Sequence, residues 1–352
     1  MSYYSEMNFW NEIKKPIFCL APMADVTDRA FRRLIAKYSK QITPYQKSQG
    51  EPLTYVTWTE FVSADGLFLG GYDALINDLL FSEEERPIVA QFFTSKPEMM
   101  EKAAALAVEL GFDGVDINMG CPDKSVEKQN AGAALMKNPN LAKEIILAAK
   151  RGAGDLPVSV KTRIGYNKNE LEEWLPNLLE TLPAVITIHA RTRKEMSLVP
   201  ARWEHVKRAV EIRDEIQEGR NKTLIFGNGD VENIADAEVK VKETGCDGVM
   251  FGRAILGRPW LFSNSRELEN KEDFEVIRKI LEILVEHTKL FEDLVLPKPP
   301  IGQGKNFAVM KKHFKAYVNG FNGSKELRIK LMNAENTNEV ERIVNKFLLS
   351  YN

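Results

Sequence analysis

A (β/α)8 TIM barrel of the α/β class with a C-terminal all-helical bundle is the fold that this 352-residue sequence predicts. Three observations carry it. Eight short apolar or β-branched runs recur through the first three-quarters of the chain, helical patterns separate most of them, and the strand pattern stops near Leu261. Continuous apolar runs suit strands buried on both faces of a parallel sheet, and eight such units close into a barrel. An open doubly wound sheet with fewer strands is the competing architecture.

The predicted strands are IFCLAPM (17–23), TYVTWTEFV (54–62), PIVAQFF (87–93), GVDINMG (114–120), PVSVKTRIG (157–165), AVITIHAR (184–191), TLIFGNGD (223–230) and GVMFGRAI (248–255). After the first, TDRAFRRLIAKY puts Phe31, Leu34, Ile35 and Tyr38 on one helical face, with Thr27 as its N-cap. After the third, SKPEMMEKAAALAVELG opens with Ser95 before Pro97 and closes at Gly111, a matched start and stop. NPNLAKEIILAAKRG, ELEEWLPNLLETL, WEHVKRAVEIRDEI and VENIADAEVKVKETG repeat the helical period between later strands. The polar stretch SKQITPYQKSQGEP (39–52) is too long for an ordinary turn and reads as a surface insertion. From Phe274 onward only helices are predicted, with Ile277, Ile280, Leu281 and Leu284 at bundle spacing and VLPKPPIGQGKN (295–306) as an internal loop. The expected division is therefore a barrel over 1–265 and a helical domain over 266–352.

Composition excludes several classes. Hydrophobic residues at 44% and charged residues at 28% are ordinary for a globular protein and argue against a mostly disordered chain. No run approaches the ~20 apolar residues of a membrane span. The opening MSYYSEMNFWNEIKK lacks a signal layout, so a cytoplasmic protein with no membrane partner is expected. Cys19, Cys121 and Cys246 are odd in number and far apart, which disfavours a disulfide framework. No Cys/His grouping has zinc-ligand spacing, and no metal is expected. With 48 basic residues against 50 acidic, the net charge of -2 argues against coating nucleic acid by bulk charge.

A barrel of this kind works at the C-terminal ends of its strands. There the sequence collects Pro22-Met23-Ala24, Gln91, Asn118 with Cys121, Lys161 with Arg163, His189 with Arg191, Asn228-Gly229-Asp230 and Gly252-Arg253. Gly229 and Gly252 follow strands seven and eight, where barrels frequently bind phosphate, and glycine lets the backbone approach an anion closely. Ordinary tight turns are the plainer reading of both. Lys161, ending VSVKTR, suits negative charge on a ring such as a reduced flavin; a surface lysine is the alternative. His189 reads equally as a core histidine. Cys121 in NMGCPDKSV is lifted by a turn between Gly120 and Pro122, as a general acid or a nucleophile. With no histidine nearby in sequence to deprotonate it, proton donation fits better. Cys19 and Cys246 read as small buried hydrophobes.

Taken together, APMADVTDRAFRRL, the QFF of strand three, DINMGCP, SVKTRIG, TIHARTR, GNGD and GVMFGRAILGRPWLF resemble the tRNA-dihydrouridine synthases. The motifs run in family order over roughly residues 17–262, and KKHFKAYVNGFNGSKELRIKLMNAE looks like that family's helical RNA-binding domain. The resemblance implies an FMN-containing reductase that saturates the C5=C6 bond of selected uridines in tRNA, with NADPH as a transient reductant. It implies that Pro22, Met23 and Ala24 line the flavin and that Gln91 and Lys161 bond its ring. His189, Asn228, Gly229, Asp230, Gly252 and Arg253 would complete the cofactor site, the last five around the phosphate. Cys121 matches the catalytic acid, and Asn118 and Arg163 match positions near the target base. The chain departs from the family where MSLVPARW follows HARTRKE, since an aromatic and a glycine often precede that tryptophan.

Two rival functions are an FMN barrel acting on a free pyrimidine, like dihydroorotate dehydrogenase, and a non-catalytic RNA-binding protein. The helical tail speaks against the first, and intact Cys121, Lys161 and Asn228-Gly229-Asp230 against the second. Residues 275–352 hold 13 Lys/Arg against 9 Asp/Glu, so a near-neutral total conceals an acidic barrel and a basic tail. Lys311, Lys312 and Lys315 share a helical stretch with Phe314 and Tyr317, suited to RNA phosphates beside an apolar face. A solvated helix face is the plainer reading. A monomer is expected.

Overall fold

The eight predicted strands are all present, each slightly shorter than its apolar run or shifted by a residue. A computed structural model describes residues 8–40, 55–219, 222–263, 267–296 and 304–351. Strands β1 (Ile17–Leu20), β2 (Tyr55–Ser63), β3 (Ile88–Phe93), β4 (Gly114–Met119), β5 (Val158–Arg163), β6 (Val185–His189), β7 (Leu224–Asn228) and β8 (Gly248–Phe251) pair in sequence order into a closed parallel barrel. β1 closes the ring on β8, with Ile17 opposite Gly248 and Leu20 opposite Phe251. Each run is buried on both faces because helices cover the outside while side chains fill the inside. The inner filling includes Cys19, Val56, Trp58, Val89, Phe226 and Met250. A short 3-10 turn at Phe9–Asn11 adds Trp10 to that cluster, its ring 5.9 Å from Trp58 and 5.5 Å from Phe226.

Six long helices lie between strands: α1 (Arg29–Lys40), α2 (Pro97–Glu109), α3 (Pro139–Ala153), α4 (Leu171–Leu179), α5 (Glu204–Ile216) and α6 (Ile234–Thr244). Their ends correct two expectations. The cap of α1 is Asp28, whose Oδ1 accepts from the Phe31 N–H at 3.0 Å, whereas Thr27 turns back to bond Met23. Ser95 does not cap α2 either; its hydroxyl donates to Gln129 O, and Pro97 opens the helix without a side-chain cap. No long helix follows β2. Two short turns, Ala64–Phe68 and Tyr72–Leu75, replace it, broken by Gly70 at φ +105°. Ser39, expected in a surface insertion, instead belongs to α1, and its buried hydroxyl donates to Pro259 O at 2.7 Å. Residues 41–52 of that stretch lie outside the described residues, as does 297–303 of the expected internal loop.

Beyond the barrel come α7 (Phe274–Leu294), α8 (Met310–Tyr317), α9 (Ser324–Leu331) and α10 (Thr337–Leu349). α7 packs on α1: Phe31 stacks on His287 with ring centroids 4.9 Å apart, Tyr38 Oη donates to Glu286 at 2.6 Å, and Lys37 pairs with Glu286 at 2.6 Å. The apolar core runs without a break from Phe31 and Ile35 into Ile280, Leu284 and Phe314. Among the described residues no helix is long and apolar enough to cross a membrane.

Candidate active site

The C-terminal mouth of the barrel encloses a cavity of about 390 Å3, within the range usual for small-molecule sites. Its wall includes Pro22, Met23, Gln91, Asn118, Cys121, Lys161, Arg163, His189, Asn228, Gly229, Asp230, Gly252 and Arg253, so seven strand ends converge as the sequence predicts. Ala24 does not belong to this wall; it is exposed just beyond Met23. Lys311, Lys312 and Lys315 sit on α8, outside the cavity, with Lys312 Nζ 3.6 Å from Asp25 at the rim.

A buried network fixes the floor. Asp116 accepts from Gln91 Nε2 at 2.5 Å and from Ser159 Oγ at 2.6 Å. Gln91 Oε1 in turn accepts from Asn118 Nδ2 at 3.1 Å. Asn118 Oδ1 then accepts the backbone N–H groups of Gly120 at 3.1 Å and Cys121 at 2.9 Å. The chain of bonds therefore runs from a carboxylate below the cavity to the turn that carries the thiol. Burial pushes Asp116 up to about 6, which still leaves it largely ionised at pH 7.

Arg163 clamps the same turn from the other side. Its Nε donates to Gly120 O at 2.8 Å, and its Nη1 donates to Thr192 O and Met196 O at 3.1 Å each. Three carbonyls thus occupy much of its fork, and Nη2 remains for a ligand. Burial pulls Arg163 down to about 10, far above neutrality. Burial also pushes the Cys121 thiol above its ordinary value, so it is protonated at neutral pH and suited to give a proton rather than attack.

Lys161 differs from these neighbours. Among the described residues its Nζ has no hydrogen-bond or ion-pair partner, although it faces the cavity. Burial, reinforced by Arg163, pulls it down to about 8. A cation held without a carboxylate contact is costly unless a ligand supplies the negative charge.

At the other end of the cavity, Asp230 gathers two arginines. It takes an ion pair from Arg191 Nη2 and another from Arg253 Nη2 at 2.8 Å, and its Oδ2 also accepts the Ala201 N–H at 2.9 Å. Arg191 Nη1 lies 3.1 Å from His189 Nε2. A guanidinium only donates, so Nε2 accepts and the ring proton sits on Nδ1. Burial, with Arg163 and Lys161 nearby, holds His189 well below its ordinary value and therefore neutral. A carboxylate repels a phosphate, and Asp230 is engaged with Arg191 and Arg253, which it orients at this end of the cavity. Gly229 has φ +122°, a conformation that L side chains rarely adopt. At Gly252 an added Cβ would meet nothing nearer than Met23 Sδ at 3.9 Å, so the backbone there is open to the cavity.

Four cations and one carboxylate line this space. Together with the orphaned Lys161 and the open glycine, that donor set fits a phosphorylated ring such as FMN. Comparison with known proteins bears on what the site does. The dihydrouridine synthase (Dus) family model matches residues 19–352. The chain belongs to the dihydrouridine synthase family. A "Probable tRNA-dihydrouridine synthase 2" of Bacillus subtilis (strain 168) is 37% identical over 347 residues, 98% of each chain. A "Probable tRNA-dihydrouridine synthase" of Staphylococcus aureus (strain COL) is 37% identical over 343 residues, 97% of this chain and 95% of its own. Among solved structures, morphinone reductase overlays 70% of this chain and 84% of its own at TM-score 0.48 and 12% identity, too remote to add to that reading. The chain is thus an oxidoreductase with polar residues collected at its barrel mouth.

Sequence reasoning gave no role to Arg191, although it noted the residue at a strand end. It also missed Asp116 and Phe61. A carboxylate inside the apolar run GVDINM was the available signal for Asp116, since buried charges are retained where they are bonded. Phe61 gave none, because a phenylalanine in a strand reads as core until its face is known.

Proposed function

We infer that this protein reduces the C5=C6 bond of specific uridines in tRNA, with FMN as the resident cofactor and NADPH as the transient reductant. The single observation that carries the reading is the Cys121 thiol at the cavity wall, on the strand end next to that of Lys161, whose Nζ has no partner among the described residues. When bound, reduced FMN supplies a hydride to C6 of the uracil. Cys121 gives its proton to C5, so one hydride and one proton saturate the bond. Lys161 would lie against the electron-rich edge of the ring system, and Gln91 would present its remaining amide N–H there. Pro22 and Met23 would form an apolar wall for the ring. Arg191 and Arg253, steadied by Asp230, would hold the phosphate at Gly229 and Gly252, with Asn228 and His189 completing that end. Asn118 and Arg163 each keep N–H groups for the uracil carbonyls, where charge grows as the hydride arrives. The target base must leave its stack to reach this depth.

The proposed division assigns 1–265 to catalysis and 266–352 to tRNA binding. Lys312 lies near the rim at Asp25, and with Lys311 and Lys315 of the same helix it would meet RNA phosphates. The test is direct. Purified protein should be yellow and release FMN on denaturation, and with NADPH and unmodified tRNA it should form dihydrouridine. Colourless protein that FMN cannot reconstitute, or flavoprotein inert toward every tRNA, would overturn the reading.

A further inference from the structure

One lysine of the tail is built into the barrel rather than offered to RNA. Lys305 precedes α8, and its backbone N–H donates to Val295 O at 3.1 Å. Its Nζ reaches both Glu60 oxygens, at 2.7 and 2.6 Å, and lies 3.4 Å from Asp25 and 3.5 Å from Asp78. The Lys305 side chain is 18% exposed and that of Glu60 only 3%, so the contact is largely screened from water. Asp28, buried at the start of α1, adds to the same negative surroundings.

Glu60 reaches its position through an irregularity in β2. Opposite β3 the register runs from Trp58 with Val89 to Phe61 with Gln91, so β2 carries one extra residue there. Such bulges re-aim side chains next to active sites. Phe61 lines the cavity, and Glu60 accepts the backbone N–H of Asp25. Asp25 sits at φ +55°, in the left-handed region, which Asp tolerates better than most L residues and which the Glu60 bond to its N–H helps to hold. It is two residues beyond Met23, which forms the cavity wall and is itself tied to Thr27 Oγ1 at 2.9 Å.

We propose that Lys305 is a positioning residue that ties the seating of the C-terminal helices to the β1 loop over 22–27, and through Glu60 sets the shape of the cavity wall at Met23. The chain of contacts is continuous: Lys305 to Glu60, Glu60 to the Asp25 N–H, and Asp25 through its short turn to Met23. Burial pushes Glu60 up to about 7 even against the pull of Lys305. Without the lysine that pull is lost, so Glu60 protonates more readily, becomes a poorer acceptor for the Asp25 N–H and loosens the turn. Lys312 is a natural control, since among the described residues its one ion pair is with the exposed Asp25 carboxylate at 3.6 Å and it is itself 51% exposed. The catalytic consequence rests on the cavity being the reaction site; the structural coupling does not.

Hydrogen exchange on the full-length protein as purified tests this. In Lys305→Met, amide exchange over 23–27 should rise about tenfold or more while the β5 and β6 amides keep their rates, as expected for opening of one local unit. Lys312→Met should change neither. With FMN bound, kcat should fall while the affinity for tRNA stays near that of the wild type, a split that a merely loosened tail would not give. If Lys305→Met does not fold, Glu60→Gln keeps the volume, removes the charge and should release the same amides. Unchanged exchange over 23–27 in a folded Lys305→Met or Glu60→Gln protein overturns the coupling. Failure of the wild type to bind FMN would instead refute the cofactor reading and leave the exchange result standing.

Discussion

Two lysines at the barrel mouth have opposite surroundings. Lys161, at the centre, has cations beside it and no carboxylate in contact; burial pulls it down to about 8, and the buried Asp116 offsets this only in part. Lys305, at the rim, touches Glu60 twice with Asp25 and Asp78 close by, and those carboxylates push it above its ordinary value against the cost of burial. The difference separates a charge kept for a ligand from a charge used inside the protein. The same residue type thus supports chemistry in one place and architecture in the other, and the neighbouring carboxylates decide which.

Substitution by methionine should break the symmetry sharply. Lys161→Met is expected to lower uridine reduction by about 10²–10³-fold, the size seen when one donor aimed at developing charge is removed. A steady-state assay on unmodified tRNA checks this. It should also raise the melting temperature of the FMN-free protein, because an unpaired buried charge disappears. Lys305→Met should do the reverse and lower stability, by less than the about 3–5 kcal/mol of a buried charge left unpaired, because the buried Glu60 can protonate once its partner is gone. Thermal unfolding of the two variants side by side measures both signs. A loss of stability in Lys161→Met would mean that this lysine has an internal partner after all.

The pH dependence sharpens the same contrast. The folded-state value of Lys161 lies below its ordinary value of 10.5, so between about 8 and 10.5 the unfolded chain binds more protons. Its contribution to stability therefore rises with pH across that window. FMN affinity should fall across the same window as the cation is lost. Titrations of FMN binding from pH 7 to 10 should show that decline in the wild type and not in Lys161→Met. The smallest effect concerns α8: each of Lys311, Lys312 and Lys315 changed to glutamine should reduce the salt slope of tRNA binding by about one or less, without altering FMN binding.

The fold was legible because both-sided burial forces continuous apolar runs such as IFCL and PIVAQFF, which do not read as half-exposed strands. The cavity was legible for a related reason: polar residues at the ends of such runs have nowhere to point except the barrel mouth. Partners distant in sequence were not legible. Lys305 stood among the basic residues counted in the tail, yet it is bonded to Glu60, 245 positions away. Asp230 read as part of a phosphate site from its neighbours Asn228 and Gly229, and only geometry shows it holding Arg191 and Arg253. The cap of α1 was missed by one residue because Thr27 and Asp28 are both good caps, and the bond from Thr27 to Met23 decides between them.

The central claim is that Cys121 protonates a uridine reduced in this cavity, and a single anaerobic turnover tests it most directly. Protein reduced by NADPH, freed of excess reductant and mixed with unmodified tRNA should regain its oxidised flavin spectrum as dihydrouridine forms. Cys121→Ala should take up FMN and be reduced by NADPH as the wild type is, then reoxidise on tRNA roughly 10²–10⁴-fold more slowly, the span of a lost general acid. Reoxidation of Cys121→Ala by tRNA at the wild-type rate would contradict the account.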